Sequence, residues 1–296
     1  MRFAGSIRCD SPDRIIWPLC TLASPVATFV RARAELRPSI VITETPTSED
    51  PVVVGEDAVA AVYVGGADHD VARIAASDLR ADIERVTDRR PELVESLDRI
   101  DAETVVVVGT AGSDPVVDDC LAAASVDADA FGQRRESSLI ETLSDPPLPA
   151  DSVVLIAGSD RRGTAYGAYE LSEAVGVSPW YWWADVPPER RETVAVESGA
   201  YEVGPPSVTY RGVFLNDEDF GLRPWATETH APEDSDRPGI GPTTYERLFE
   251  LLLRLKANTI WPAMHPDTKA FYRYPEHADL ADRYAIVVGT SHCEPM

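Results

Sequence analysis

The sequence predicts an α/β protein: a small amino-terminal α/β domain followed by an incomplete (β/α)8 TIM-type barrel. Three observations carry that prediction. Short β-branched runs alternate with amphipathic stretches from residue 41 onward. A Gly204-Pro205-Pro206 break then divides the chain. After it, three strand–helix units follow in series, each with polar residues just past its strand. Only residues 207–296 follow the break, whereas a complete barrel needs roughly 250 residues. The barrel is therefore expected to stop after its first three βα units, as a truncated chain.

Residues 1–40 stand apart in composition. Arg2, Arg8, Arg14, Arg31, Arg33 and Arg37 outnumber Asp10, Asp13 and Glu35, giving a basic leader on an acidic chain. It reads either as a flexible arm or as translation from a start set too early. Residues 15–30 are apolar, but Pro18 and Pro25 interrupt them and acids precede them. With no small-residue cleavage site following, a secretory signal is disfavoured and a cytoplasmic location is expected.

Residues 41–203 form the α/β domain. Strands are expected at 60–64, 104–108 and 153–157. Between the first two, Val71, Ile74, Ala75, Leu79, Ile83 and Val86 recur at helical spacing and predict a helix over 69–89. Further helices are expected at 114–124 and 161–175, the latter ending at Gly176. The stretch Gly158-Ser159-Asp160-Arg161-Arg162-Gly163-Thr164 joins a strand to that helix. It lacks the Gly-Lys-Ser/Thr ending of a P-loop and the GxGxxG spacing, so it reads as a tight structural turn rather than a phosphate cradle.

Beyond the break, residues 208–215 read as a buried strand of the kind parallel sheets use. A polar loop over 216–242 follows, and loops of that length are usually functional. A helix over 244–257 is expected, with Thr243 and Glu246 spaced as a capping box and Asn258 ending it. A strand at 259–263, a short helix closing over 279–284 and a strand at 285–289 complete the series.

Composition excludes several partners. Fifty acids against twenty-seven bases give a net charge of -23, and only two of the bases are lysines, Lys256 and Lys269. An acidic, arginine-using chain reads as salt-adapted (halophilic), since concentrated salt screens self-repulsion. No basic stripe is available to neutralise phosphates, so nucleic acid is not expected as a partner. No apolar run approaches the roughly 18 residues of a membrane span. Cys9, Cys20, Cys120 and Cys293 lack any CxxC or CxxH spacing, which argues against a zinc site or a disulfide framework and fits a reducing interior.

In a (β/α)8 barrel the chemistry lies just beyond the carboxyl ends of the strands. That rule selects Asn216-Asp217-Glu218-Asp219 after the first strand, Trp261, Met264 and His265 at the second, and Ser291-His292-Cys293-Glu294 after the third. Carboxylates, an aromatic floor and a His beside a Glu suit sugar hydrolysis: an acid protonates the leaving oxygen, a base activates water, and an aromatic face packs on the ring. Because strand side chains alternate, Asp217 and Glu218 do not both reach one pocket if the strand continues through them, and the apolar pattern does not say which does. The plainer alternatives are a solvated acidic loop, a core role for Trp261 and a structural role for His292.

Several long words are familiar in this order. Arg211-Gly-Val-Phe-Leu-Asn-Asp-Glu218, FELLLRLKANTIWPAM over 249–264 and ADRYAIVVGTSHCEPM over 281–296 resemble the first barrel strand, the first barrel helix with the second strand, and the third strand of glycoside hydrolase family 115. Residues 154–187 look like the end of that family's amino-terminal domain, and the resemblance covers roughly 50–296. It implies a cofactor-free, metal-independent, inverting α-glucuronidase that removes (4-O-methyl)glucuronic acid side chains from xylan. Glucuronoxylan or aldouronic acid oligosaccharides would be its partners, and the resemblance is compatible with a homodimer in the full-length protein. By the same resemblance Asp217, with Glu218 beside it, is the catalytic carboxylate, and Asn216, Trp261, His265, His292 and Glu294 bind substrate. The chain departs from the family pattern at Asp219-Phe220, where Ala-Pro is usual, at His265, where Trp is usual, and at Cys293, where a second His is usual. The 296-residue chain is expected to be inactive alone. The alternatives are a non-catalytic carbohydrate-binding remnant, or a related barrel glycosidase such as a family 67-like glucuronidase or a hexosaminidase. A uronate substrate on so acidic a protein also calls for local arginines, for which Arg211, Arg223 and Arg254 are present.

Overall fold

The computed structural model describes residues 39–216, 221–232, 240–262 and 271–290. Its larger layer is a six-stranded sheet in the order β4-β3-β5-β7-β6-β9. The strands are β3 (Ala61–Val64), β4 (Glu92–Val94), β5 (Thr104–Thr110), β6 (Ser138–Leu143), β7 (Ser152–Gly158) and β9 (Ala200–Val203). Strands β4, β3, β5 and β7 run parallel, and β6 is antiparallel to both of its neighbours. The expected runs at 60–64, 104–108 and 153–157 are β3, β5 and β7, whose Val, Leu and Ile side chains are buried on both faces. A sheet covered on both sides needs such two-sided apolar strands.

Helix α1 (Asp70–Thr87) and α4 (Arg161–Ala174) cover one face, while α2 (Pro115–Ala123) and α3 (Ala128–Gly132) cover the other. A small antiparallel sheet, β1 (Ile42–Thr43), β8 (Val194–Val196) and β2 (Val52–Val54), lies beside them. The turn over 158–164 is structural. Asp160 Oδ1 accepts from the N–H groups of Arg162 and Gly163, occupying the donors a phosphate would use. A Cβ on Gly158 would collide with the backbone of Thr164.

After the linker, β10 (Gly212–Phe214), β11 (Thr259–Trp261) and β12 (Val287–Val288) form a three-stranded parallel sheet. Helices α6 (Pro242–Arg254) and α7 (Pro275–Arg283) connect them. The strand expected as buried over 208–215 is shorter and all three of its residues are exposed. Among the described residues it pairs only with β11, and the connecting helices cover the sheet around Ile260, which is fully buried. The loop over 216–242 is not all irregular. Within it lie a short turn α5 (Leu222–Pro224) and a π-helical turn Trp225–His230.

Two expected helix ends are corrected. The capping box of Thr243 and Glu246 does not form: α6 starts at Pro242 with Gly241 as N-cap. Proline at the first helical position has its φ preset and no N–H to satisfy, so it sets the start. Asn258 does not end the helix either. That role falls to Leu255, followed by Lys256 in the left-handed region (φ 57°). Among the described residues no helix is long and apolar enough to cross a membrane.

Candidate active site at the barrel strand ends

The register of the parallel sheet places Phe214 beside Trp261 and Ile260 beside Val288. Pairing extends one step beyond the strands: Leu215 N donates to Trp261 O at 2.8 Å, and Gly289 N to Ile260 O at 2.9 Å. Asn216 therefore lies just past the carboxyl end of β10, level with the end of β11, and it is exposed. Trp261 is 49% exposed and stands on the sheet face opposite buried Ile260. With Tyr210, Phe214 and Thr259 it lines an open groove of about 330 Å³. Gly289 on the neighbouring strand makes room for it, because a Cβ there would overlap the Trp261 indole. Tyr272 donates its hydroxyl to Val288 O at 3.0 Å and ties the loop before α7 to the last strand.

Of the candidates from the sequence, the structure thus brings Asn216 and Trp261 to the same end of one parallel sheet. Asp217, Glu218, His265, His292 and Glu294 lie outside the described residues. Two of the three candidate arginines are engaged elsewhere. Arg254 is 3% exposed on the helix side of the barrel segment. Its Nη1 lies 2.8 Å from Asp82 Oδ2 on α1, and its Nε 2.9 Å from Glu250 Oε1. The Tyr169 and Tyr181 rings flank it, with centroids 4.7 and 4.9 Å from Cζ. Arg211 Nε donates to Lys256 O at 2.9 Å, and its Nη2 lies 2.8 Å from Glu136 Oε2.

These two clusters hold the strand-end frame against the α/β layer, and neither was legible in the sequence. Glu136 is 5% exposed, with backbone in the left-handed region (φ 48°). It receives Arg162 Nε at 3.0 Å and Asn258 Nδ2 at 2.7 Å, besides the Arg211 ion pair. Asn258 Oδ1 in turn accepts from Arg211 N at 3.0 Å, so one buried carboxylate fixes the start of β10 and of β11 together. In the second cluster, burial and the nearby Glu250 push the Asp78 carboxyl up to about 7, although Tyr169 donates to it at 2.6 Å. Burial opposes the charge on Arg254, yet Asp82, Tyr169 and Glu250 more than offset it and raise its pKa.

A parallel βα segment with polar and aromatic residues at its strand ends, docked on an α/β layer, has the layout of a barrel glycoside hydrolase. Residues 203–296 match the model of Glycosyl hydrolase family 115. Among solved structures, the chain is similar to a family 115 4-O-methyl-α-glucuronidase with specificity for decorated arabinogalactans. The two are 38% identical with a TM-score of 0.71, over 83% of this chain and 30% of that one. The chain belongs to glycoside hydrolase family 115. Weaker likenesses are to CpGH84D (12% identity, TM-score 0.48, 88% of this chain and 37% of that one) and to a Flavobacterium johnsoniae chitobiase (10%, 0.46, 84% and 33%). No curated protein matches the sequence. The chain spans about 30% of the length of its family 115 structural relative.

Proposed function

We propose that this chain supplies the amino-terminal domain and first strand ends of an inverting α-glucuronidase that removes glucuronic or 4-O-methylglucuronic acid side chains from a polysaccharide. The observation that carries the reading is the 38% identity, over 83% of the chain, to a 4-O-methyl-α-glucuronidase, together with the family match over residues 203–296, which include the strand ends. Inversion needs an acid and a base roughly 6.5–9.5 Å apart with water between them. Asp217, one residue beyond Asn216, is the proposed carboxylate from the first strand end, with Glu218 holding the neighbouring loop. Asn216, Trp261, His265, His292 and Glu294 form the sugar pocket, and no cofactor takes part. The second carboxylate comes from a later barrel unit. A polypeptide limited to these 296 residues is accordingly expected to release no glucuronate, and steady release from aldouronic acids would overturn that expectation. In a polypeptide carrying the complete barrel, Asp217→Asn should lower kcat at least about a hundredfold, the usual scale of a positioned acid or base. Unchanged kcat would remove Asp217 from the chemistry.

The substrate backbone has two candidates. Family resemblance favours glucuronoxylan, whereas the specificity of the structural relative favours decorated arabinogalactan. Comparing kcat/KM on the two polymers decides between them.

A further inference from the structure

Apart from the strand ends, the described residues hold one large aromatic recess, where the α/β layer meets the loop after β10. Its volume is about 810 Å³. Tyr181, Trp182, Trp183 and Asp185 line it from the segment after α4, and Gly221, Leu222 and Trp225 from the barrel loop. The rings are held rather than loose. Trp183 Nε1 donates to Arg247 O at 3.2 Å, and Tyr181 Oη to Glu250 Oε1 at 3.0 Å. Trp182 packs edge-on against Trp183 at 5.0 Å, and Arg247 Cζ lies 5.3 Å from its centroid. His230 stacks on Trp225 at 5.0 Å with the planes 6° apart. Pre-set aromatic surfaces with a few polar groups are what a binding cavity needs. Asp185 sits in the left-handed region (φ 49°), a conformation that costs a non-glycine residue energy and collects at functional sites.

We propose that this recess is a subsite for neutral sugar residues, the backbone of the polysaccharide that carries the uronic acid. The chemistry of the lining selects that ligand. Indole faces pack on the C–H face of a pyranose, and the Asp185 carboxylate accepts from hydroxyls. Among the described residues of the lining, Asp185 is the one charged side chain, and it repels a uronate. Position supports the same reading. Gly221 is five residues after Asn216, so at roughly 3.6 Å per residue this edge of the recess lies within about 18 Å of the first strand end, a span a short oligosaccharide covers. The proposal takes from the glucuronidase reading only that the substrate is a decorated polysaccharide.

Calorimetric titration of the 296-residue chain with xylotetraose, with a β-galacto-oligosaccharide and with glucuronic acid separates the possibilities. Saturable binding of one neutral oligosaccharide is expected. Trp225→Ala should weaken it roughly two- to tenfold, the scale of one aromatic contact. Trp225→Phe should restore most of it, and glucuronic acid binding should not change. Asp185→Asn keeps a residue that tolerates the left-handed backbone and should also weaken the neutral ligand, which guards against a folding defect in the tryptophan variant. Which neutral oligosaccharide binds identifies the backbone. No saturable heat with either, or wild-type affinity in both Trp225→Ala and Asp185→Asn, overturns the subsite. Binding of the neutral oligosaccharide without any binding of glucuronic acid leaves the subsite standing and counts instead against the uronate reading.

Discussion

At the scale of single residues, Asp78 carries the largest consequence. Its carboxyl is pushed up to about 7, by burial first and then by Glu250, from an ordinary value of 3.8. A group whose folded pKa lies above its unfolded one contributes stability that is complete below about pH 4 and lost as pH rises through about 7. At roughly 1.36 kcal/mol per unit, wild type should lose on the order of 2–4 kcal/mol across that window. Asp78→Asn keeps an oxygen to accept from Tyr169 and removes the titration. The variant is therefore expected to be the more stable at pH 8 and to flatten the profile between pH 4 and 7, as read by urea unfolding. An unaltered slope would show that another group sets the dependence. Gly289 makes a second point at this scale. Its φ is not in the left-handed region, so the cost of Gly289→Ala is steric alone and falls on the Trp261 indole. Affinity for glucuronic acid should fall while the unfolding midpoint moves little. A variant that binds normally would mean Trp261 has no part in the pocket.

At the scale of elements, helix α6 is fastened to α1 by charge buried in an apolar surround. Asp82 is fully buried and Arg254 nearly so, which makes the pair poorly replaceable from one side. Arg254→Met should cost up to about 3–5 kcal/mol, because it leaves the buried Asp82 with the half-buried Arg85 as its remaining ion-pair partner and takes one partner from Glu250 as well. Arg254→Met with Asp82→Leu should recover most of that, since a packed apolar pair in place of buried ions is often neutral. Chemical denaturation of the single and double variants tests this, and additive losses would refute a paired origin. The clamps also explain what the sequence conceals. Strands β3, β5 and β7 are legible because their apolar runs follow from burial on both faces, and α1 because its apolar spacing is local. Asn258 is misread as a helix stop because Asn is a good local cap, while its actual partner, Glu136, is 122 residues away. A separation of 172 residues likewise hides Asp82 from Arg254, and the Pro242 start defeats the capping-box spacing one residue later. At the candidate site, strand-end position is legible for Asn216 and Trp261 from βα periodicity. The support that Gly289 gives Trp261 depends on register between strands, which no local pattern encodes.

At the scale of the whole molecule, charge and burial pull in opposite directions as salt changes. The net charge of -23 is spread over a chain with only two lysines, Lys256 and Lys269. At 0.1 M salt the Debye length is about 10 Å, so neighbouring surface carboxylates repel one another, and at 1 M it is about 3 Å and they largely do not. Buried pairs such as Asp82 with Arg254 and Glu136 with Arg211 are screened much less. Salt therefore relieves the repulsion of the surface while leaving the clamps between the α/β layer and the barrel segment intact. We propose on this basis that the protein is salt-adapted. Its unfolding midpoint should rise from about 0.1 M to about 1 M KCl, by roughly 2–4 °C for each kcal/mol of repulsion removed. The Arg254→Met variant should rise by a similar increment from its lower starting point, because the screened charges are not the ones it alters. A midpoint that stays flat or falls with KCl would mean that surface repulsion is not what limits the fold. The acidic composition would then need an explanation other than concentrated salt.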